Sequence, residues 1–328
     1  MNKIDGAIRA KPIDHASGPG LVPTIFHEPW WMRIASAGVP CEATVSAGGR
    51  LVGRMPYHVS RRMGGLRVLG MPAASHVLGP AFAPEFSGEN SRIATRQISI
   101  TRELIAQLPK AAHISFRLHG GIGNTLAFAE AGFSGRIDFT VEIPPDAPDV
   151  LWRQMRDKTR NVIRRAQEQL SVTEQNDPSR FLDFYEHNLQ ARKADNHYNR
   201  AIANHIITEC VHRGVGRILM ATDPQGVSQA ATFTIWDHRT AYYYMSTRRQ
   251  DSINGATSLL IWEALQHAAL KGLIFDMDML HVQNGRIPNL LLLTGFGGSL
   301  KTRYWVRKTD PALQVGMSIK EFLVRAPT

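Results

Sequence analysis

One arrangement of residues occurs twice in this 328-residue chain and limits how it can fold. Each copy reads as a β-strand, a loop, a short helical stretch, a Gly-Phe pair and a closing strand. The copies lie at 114–118, Gly132-Phe133 and 141–143 in the first half, and at 274–279, Gly295-Phe296 and 304–306 in the second. A hairpin signal precedes each copy, at 48–49 and at 223–226. Two such closures in halves of similar length predict a duplicated domain, with a cleft where the copies meet.

The order of predicted elements indicates an α+β (mixed α/β) fold, because strands and helices do not alternate regularly. The second half reads as helices, three antiparallel strands, another helix and the strand–helix–strand closure. Its first helix is predicted from Val150 to about Gln169, where apolar residues follow one helical stripe. The run 144–149 contains three prolines and two aspartates and is the best linker candidate. We therefore predict domains 1–146 and 147–328.

The charge of the chain concerns its partners more than its fold. A net charge of +10 and a pI of about 9.9 favour anionic ligands, although the same balance can serve solubility alone. The longest strictly apolar block is Leu290–Leu293, far short of the roughly 20 residues that span a membrane. The N-terminal residues contain no apolar run typical of a secretory signal. With two widely separated cysteines, these features predict a cytoplasmic protein.

Two basic segments are candidates for binding phosphate. The helix from residue 151 carries Lys158, Arg160 and Arg164 within a strongly basic stripe, and bound phosphate would offset their mutual repulsion. A solvated face screened by salt explains the same stripe. The second segment is the strand-to-helix turn from Arg248 to Ala256, where backbone N–H groups favour anions and Gly255 permits close approach of a pyrophosphate.

Two carboxylates are the candidate catalytic groups. Asp276 and Asp278 alternate along an otherwise apolar strand, so both side chains face one side of the sheet. Burying them is costly unless they are paired or functional, and such a pair can act as a general base toward an amine. Pairing with arginines or loop amides remains the alternative. His281, just beyond, is a weaker candidate base.

Several classes of site are not indicated. The sequence contains no G-x-S-x-G nucleophile elbow, and neither cysteine lies in a motif that implies a thiolate. No spacing of histidines indicates a metal site. Direct transfer between two bound substrates, without a covalent enzyme intermediate, is therefore the simplest mechanism.

Over about residues 25–308, the sequence resembles the Fem-type (FemAB-like) branch of the GNAT acyltransferase superfamily. The matching segments are 155–166, Phe181-Leu182-Asp183-Phe184-Tyr185 with Arg192, Tyr242–Ser246, 259–262, 272–276 and 295–298. The resemblance implies tandem GNAT-like domains, each a twisted mixed sheet flanked by helices. It also implies transfer of an acyl or aminoacyl group from acyl-CoA or aminoacyl-tRNA, with no tightly bound cofactor and no metal.

The acceptor that the resemblance implies is an amine of a peptidoglycan or polysaccharide precursor or of a small metabolite, and the acceptor-binding residues are Tyr185, Arg192 and Tyr244. The chain departs from the family in two ways. Leu293 stands where many members have Lys, and the long helical arm of some tRNA-using members is missing because 178–213 is too short. Two alternatives stay open: a non-catalytic, degenerate GNAT module that binds a phosphorylated ligand or nucleotide, and a nucleic-acid-binding protein, which lacks the usual aromatic-plus-basic pattern.

Overall fold

The computed structural model describes residues 21–310, except 39, 63–64, 87, 89, 197, 281 and 283–285, and describes only the backbone of residues 62 and 278. The chain divides at Ile137/Asp138 and again at Thr302/Arg303 into two compact units. Unit 1 contains the N-terminal part and the chain after Thr302, and unit 2 contains 138–302. Among the described helices, none is long and apolar enough to cross a membrane.

The elements up to the first division are helices α1 (Pro29–Ala35), α2 (Ser91–Ala106) and α3 (Leu126–Glu130), and strands β1 (Cys41–Ala47), β2 (Arg50–Arg62), β3 (Leu66–Gly70), β4 (Ala81–Phe82), β5 (His113–Arg117) and β6 (Ser134–Ile143). The remaining helices are α4 (Pro148–Gln154), α5 (Asp157–Gln167), α6 (Pro178–Ala191), α7 (Arg200–His212), α8 (Ala256–Leu270) and α9 (Leu290–Leu293). The remaining strands are β7 (Ser171–Gln175), β8 (Gly216–Thr222), β9 (Ser228–Trp236), β10 (Thr240–Arg248), β11 (Ile274–Leu280) and β12 (Ser299–Thr309).

Unit 1 is built on a mixed sheet in the order β1-β2-β3-β5-β12. Only β3 and β5 are parallel in this sequence of pairs. Helix α2, capped by the side chain of Asn90, packs on the sheet through the buried Ile100 and Leu104. Gly53 of β2 makes this packing possible, since a Cβ there would lie 2.2 Å from Ile100 Cγ2.

Two buried histidines fix the loop after β3 in unit 1. His27 and His119 meet edge to face, with ring centroids 5.2 Å apart. Each ring bonds a neighbouring carbonyl oxygen through Nε2 and a donor through Nδ1, which is the pattern of a neutral imidazole. The bonds are His27 Nε2 to Gly79 O (3.1 Å), Thr24 Oγ1 to His27 Nδ1 (2.8 Å), His119 Nε2 to Pro80 O (2.8 Å) and Gly121 N to His119 Nδ1 (3.2 Å).

The strands of unit 2 lie in the order β6-β11-β10-β9-β8-β7 and are of mixed direction. Again one pair, β10 with β11, is parallel, whereas the pairs β6–β11, β10–β9, β9–β8 and β8–β7 are antiparallel. One face packs against α8 and α5 through a core that includes Tyr243, Leu260 and Phe275. The other face packs against α6, where Phe181 lies 6.2 Å from Phe233 between ring centroids. The predicted mixed α/β architecture, and the three antiparallel strands β8–β10, are confirmed.

The structure corrects two predictions about the start of unit 2. The helix predicted from Val150 to Gln169 is two helices, because Met155 and Arg156 are extended. The amide of Arg156 bonds the carbonyl of Gly295 instead of continuing the helix. Strand β7 was not predicted, since Ser171–Gln175 is polar at every position except Val172. In the first case tertiary contacts interrupt a continuous helical pattern. In the second they form a strand where the local pattern is weak.

The compact units also divide the chain differently from the predicted domains 1–146 and 147–328. The first division falls before residue 147, inside β6, and the last strand contributes to both units because β12 starts before Thr302. The proline-rich run 144–149 follows β6, which ends at Ile143, and leads into α4, which starts at Pro148. The predicted domains and the cleft between them stay predictions.

The buried ring of His27 makes the stability of unit 1 depend on pH. Burial, then the charges of His119 and Arg54, hold its pKa well below the usual 6.5. The unfolded chain takes up this proton below about pH 6.5 and the folded chain does not, so stability is complete above that pH and is lost as the pH falls. We expect the free energy of unfolding to fall by up to about 1.4 kcal/mol per pH unit in this window from His27 alone.

Urea unfolding between pH 7.5 and 5 measures this dependence. The variant His27→Gln keeps an amide that can donate to Gly79 but cannot titrate, so its pH slope should be smaller than that of the native chain. His238→Gln, which changes an exposed histidine of unit 2, is the matched control and should keep the native slope. Equal slopes in all three proteins would contradict the assignment.

Candidate active site

The main structural feature of unit 2 is an opening between β10 and β11. The two strands pair in parallel from Thr240↔Ile274 to Tyr242↔Asp276, and no further pair forms within their described residues. Strand β10 nevertheless continues from Tyr243 to Arg248, roughly 20 Å of extended chain. Beyond Tyr242, β10 therefore presents an edge that is not paired with β11, and an extended ligand can lie along such an edge.

A β-bulge lies at the point where the two strands separate. In the pairing of β10 with β9, Tyr243 is opposite Thr234 and Met245 is opposite Phe233, so Tyr244 is an extra residue. A bulge bends its strand and disrupts the regular ladder, which is consistent with β10 turning away from β11 here. The bulged residue Tyr244 thus lies two positions beyond the last pair of β10 with β11.

Asp276 lies at the closed end of the opening. Its side chain is 7% exposed and accepts a short hydrogen bond from Thr140 Oγ1 of β6. It shares a register position with Tyr242, whose hydroxyl donates to Asp237 Oδ2 at 2.9 Å. Burial, and then the negative charges of Asp237 and Asp276, raise the pKa of Tyr242 well above 10. A predicted catalytic carboxylate therefore lies among groups that hold it in place, beside a phenol that stays neutral.

The other predicted catalytic groups lie outside the described part of the chain: the side chain of Asp278, and His281 entirely. The backbone of residue 278 continues β11. Its neighbour Met277 is fully buried in the core on the face of α8, as the predicted alternation requires.

The predicted phosphate-binding residues of α5 differ in what they do. Arg160 of α5 caps the C-terminal end of α4. Its Nη1 donates to the carbonyls of Trp152, Arg153 and Met155 at 3.4, 3.0 and 3.2 Å. These are C-terminal carbonyls that α4 cannot satisfy itself. Arg164 is exposed, bonds Asn161 and lies over the ring of Trp152 at 5.4 Å. Lys158 is exposed and forms no ion pair or hydrogen bond within the described chain.

The turn after β10 leads into helix α8. Arg248 is exposed and donates from Nη1 to Ser252 Oγ at 3.2 Å. Gly255 has φ of +94°, and a Cβ there would lie 2.6 Å from both Cγ1 and O of Val162 in α5. The space beside Gly255 is thus filled by α5, so this glycine lets two helices approach each other. The amides of the first turn of α8 still lack intrahelical partners and lie where β10 ends.

The predicted acceptor residues come together on the face of α6. Tyr185 lies on α6, Arg192 follows directly as the C-cap residue of that helix, and Tyr244 is the bulged residue of β10. Tyr198, which the sequence analysis missed, connects them, with ring centroids 6.3 Å from Tyr185 and 6.0 Å from Tyr244. Burial raises the pKa of Tyr185, which the charge of Arg192 partly offsets. Tyr198 lies in a loop without a periodic pattern, so only its aromatic character could have indicated it.

The described residues contain no group of three or more potential metal ligands. Burial raises the pKa of both Cys41 and Cys210, so both are thiols near neutral pH. A buried thiol is a poor nucleophile.

The role of Arg160 can be tested against a neighbour on the same helix. Arg160→Met keeps the aliphatic stem but removes the hydrogen bonds to the end of α4, so we expect a loss of about 1–3 kcal/mol in the free energy of unfolding. Arg165→Met removes an exposed arginine whose side chain has no partner among the described residues and should cost much less. Denaturant unfolding of the two variants measures the difference, and equal stabilities would refute the capping role.

Comparison with known proteins agrees with this geometry. Residues 153–284, which include the opening, match the family described as acetyltransferase (GNAT) domain. No curated protein sequence is significantly similar to the chain. The family match confirms the predicted GNAT-type N-acyltransferase at the level of enzyme class.

Solved structures resemble the chain over most of its length. The crystal structure of FemX has a TM-score of 0.67 at 11% identity and covers 89% of this chain and 95% of its own. The C-terminal domain of a putative lysylphosphatidylglycerol synthetase from Agrobacterium fabrum has a TM-score of 0.55 at 11% identity, over 87% and 88%. L-PGS from Bacillus licheniformis has a TM-score of 0.54 at 10% identity, over 87% and 88%. At these identities the likeness concerns the fold, and it supports the Fem-type resemblance and the tandem GNAT-like architecture.

Proposed function

We propose that the protein transfers an activated acyl or aminoacyl group to an amine, because residues 153–284 match the family described as acetyltransferase (GNAT) domain. The donor is an acyl-CoA or an aminoacyl-tRNA. The acceptor is a cell-envelope or polysaccharide precursor, or a small metabolite. The observation that carries this proposal is the opening between β10 and β11, where the parallel pair ends at Tyr242 and Asp276.

The opening suits a donor with an extended, amide-bearing arm. Such an arm can lie along β10, beyond its last pair with β11, as an added strand would. The carbonyl that is to react then lies near the bulge at Tyr244. Backbone N–H groups of β10 can stabilise the oxyanion that develops there, in a buried environment where such donors are most effective.

Transfer by this route needs no covalent enzyme intermediate. The neutral amine attacks the carbonyl carbon and a C–N bond forms. The C–S bond of the thioester, or the C–O bond to ribose, breaks, and the leaving sulfur or oxygen takes up a proton. The amine loses a proton to a carboxylate, for which Asp276 or Asp278 is our candidate. The thiols of Cys41 and Cys210 take no part, since burial keeps both protonated.

Basic groups at the end of the opening support a phosphate-bearing donor. The amides of the first turn of α8 and the exposed Arg248 can bind a pyrophosphate or a tRNA backbone, with Lys158 and Arg164 as further contacts. Arg160 contributes mainly by holding α4 in place. Gly255 contributes by the close packing of α5 on the turn.

The acceptor is proposed to bind between α6 and β10. Tyr185, Tyr198 and Tyr244 offer ring faces and hydroxyl groups, which suit a sugar or peptide, and Arg192 offers a guanidinium for an acidic group. The likeness to FemX and to lysylphosphatidylglycerol synthetases supports aminoacyl transfer in the cell envelope. Leu293 stands where many family members have Lys. We therefore keep acyl-CoA as a donor on equal terms with aminoacyl-tRNA. We propose that the protein acts in the cytoplasm.

A second function, non-catalytic binding of a phosphorylated ligand, is favoured by one observation. The carboxylate of Asp276 already accepts a hydrogen bond from Thr140, so one of its acceptor positions is occupied before any amine binds. In this alternative the opening binds a nucleotide-like ligand and no transfer follows.

A donor screen separates the two functions. Acetyl-CoA, longer acyl-CoAs and aminoacylated tRNA are offered separately, and binding is followed by isothermal titration and transfer to candidate amines by mass spectrometry. Binding with transfer supports the enzyme, binding without transfer to any amine supports the binding module, and binding of no donor refutes the proposed donor site.

The role of the carboxylates is tested with the donor that binds. Asp276→Asn should lower kcat by about 10²-fold or more while the donor Kd stays nearly unchanged, because the base acts only in the transfer step. Asp195→Asn changes an exposed carboxylate in the loop after α6 and should keep native turnover. Full turnover by both Asp276→Asn and Asp278→Asn would exclude the carboxylates as base.

A further inference from the structure

Unit 1 repeats the strand arrangement that creates the opening in unit 2. Strand β3 follows an antiparallel partner, β2, and pairs in parallel with β5, and α2 connects β3 to β5. Strands β9, β10 and β11 with α8 have the same order and the same directions. The parallel pair in unit 1 is equally short, from Val68↔His113 to Gly70↔Ser115. Unit 1 is therefore expected to have an equivalent opening beyond Gly70.

That position in unit 1 is occupied by the chain itself. After Gly70 the chain leaves the sheet, turns at Pro72, and returns so that Leu78 forms a parallel bridge to Leu118. The amide of Leu78 donates to Arg117 O at 2.8 Å, and the amide of His119 donates to Leu78 O at 3.0 Å. We call the segment 72–80 the plug.

The plug is part of the core of unit 1. Leu78 is fully buried, and Ala74 and Val77 are 4% and 7% exposed. Trp31 Nε1 donates to Ser75 Oγ at 3.1 Å, and His76 stacks on Phe26 with centroids 5.6 Å apart.

The C-terminal end of the plug is fixed by two histidines and a glycine. At its C-terminal end, Nε2 of His27 and of His119 bond the carbonyls of Gly79 and Pro80. Gly79 itself needs to be glycine, since its φ is +113° and a Cβ would lie 2.7 Å from Leu118 Cδ2. Because it is buried and hydrogen-bonded, the plug is part of the core of unit 1 and is not a mobile surface loop.

We propose that the plug is an internal ligand: in unit 1, Leu78 fills the space beside the end of β5 that corresponds to the opening beside β11 in unit 2, and β3 ends at Gly70, so it does not continue along that space as β10 does. Unit 1 consequently has no donor site, and each chain binds one donor, through the opening between β10 and β11. The closure of unit 1 stands on its own contacts, whereas the count of one donor rests on the proposed function. The duplication thus leaves one copy open for chemistry and one copy sealed by its own sequence.

Hydrogen exchange of the free protein tests the plug without any donor. The amides of Leu78 and His119 should exchange as slowly as those of the paired strand β5. Gly79→Ala should speed exchange at both amides by about tenfold or more, because a strained left-handed alanine weakens the plug. Gly123→Ala is the matched control in the same unit, since a Cβ there meets nothing within 4 Å, and it should leave both amides unchanged. Fast exchange of Leu78 in the native protein would refute the plug.

Titration of the native protein with acetyl-CoA, and in a separate arm with aminoacylated tRNA, tests the count. We expect one site, with new protection at the amides of 243–248 and none at 77–79. Two sites, or a change in exchange at Leu78 on binding, would overturn the proposal. If neither donor binds, the proposed function fails, while slow exchange at Leu78 and its response to Gly79→Ala still decide whether unit 1 is sealed.

Discussion

The short parallel pairing of β10 with β11 is the constraint on which the proposed chemistry depends. Parallel strands separate readily when one of them bends, and the bulge at Tyr244 bends β10 directly after the last pair. Beyond this point β10 and β11 are not paired, in a largely buried region. A carboxylate, Asp276, lies at the closed end, and helix α8 begins at Ala256, after the turn that follows β10. A binding slot therefore arises from pairing that stops early.

The packing of α5 fixes the helices beside the opening between β10 and β11. Gly255 lets Val162 approach the start of α8, and Arg160 closes the end of α4, so that the basic helix is fixed on both sides. Part of the positive charge that suggests a phosphate site is thus used for structure. The exposed Lys158, Arg164 and Arg248 remain for a ligand. Charge composition alone does not separate these two uses, since both need arginine and both lie on one helix face.

The comparison of the two units shows how a duplicated fold becomes asymmetric. Both sheets contain one short parallel pair between antiparallel strands. In unit 1 the longer connection after β3 folds back and supplies Leu78 as a strand partner, and two neutral histidines hold it. In unit 2 the chain enters α8 soon after β10 ends and supplies no such partner. The length of one connection therefore decides whether the opening is filled.

The sequence alone determined the class of fold and the segments that matter. The repeated closure, the strand pattern of β8–β10 and the alternation around Asp276 follow from hydrophobic periodicity, which is a local property. The grouping of Tyr185 with Tyr244 followed from a family resemblance, and Tyr198 was missed because a loop has no period. Only the tertiary structure decided that Arg160 caps a helix, that Gly255 admits α5, that β7 forms, and that Leu78 fills unit 1. Each of these depends on contacts between residues far apart in the chain or on the path of a loop, and the identity of neighbouring residues does not encode such contacts.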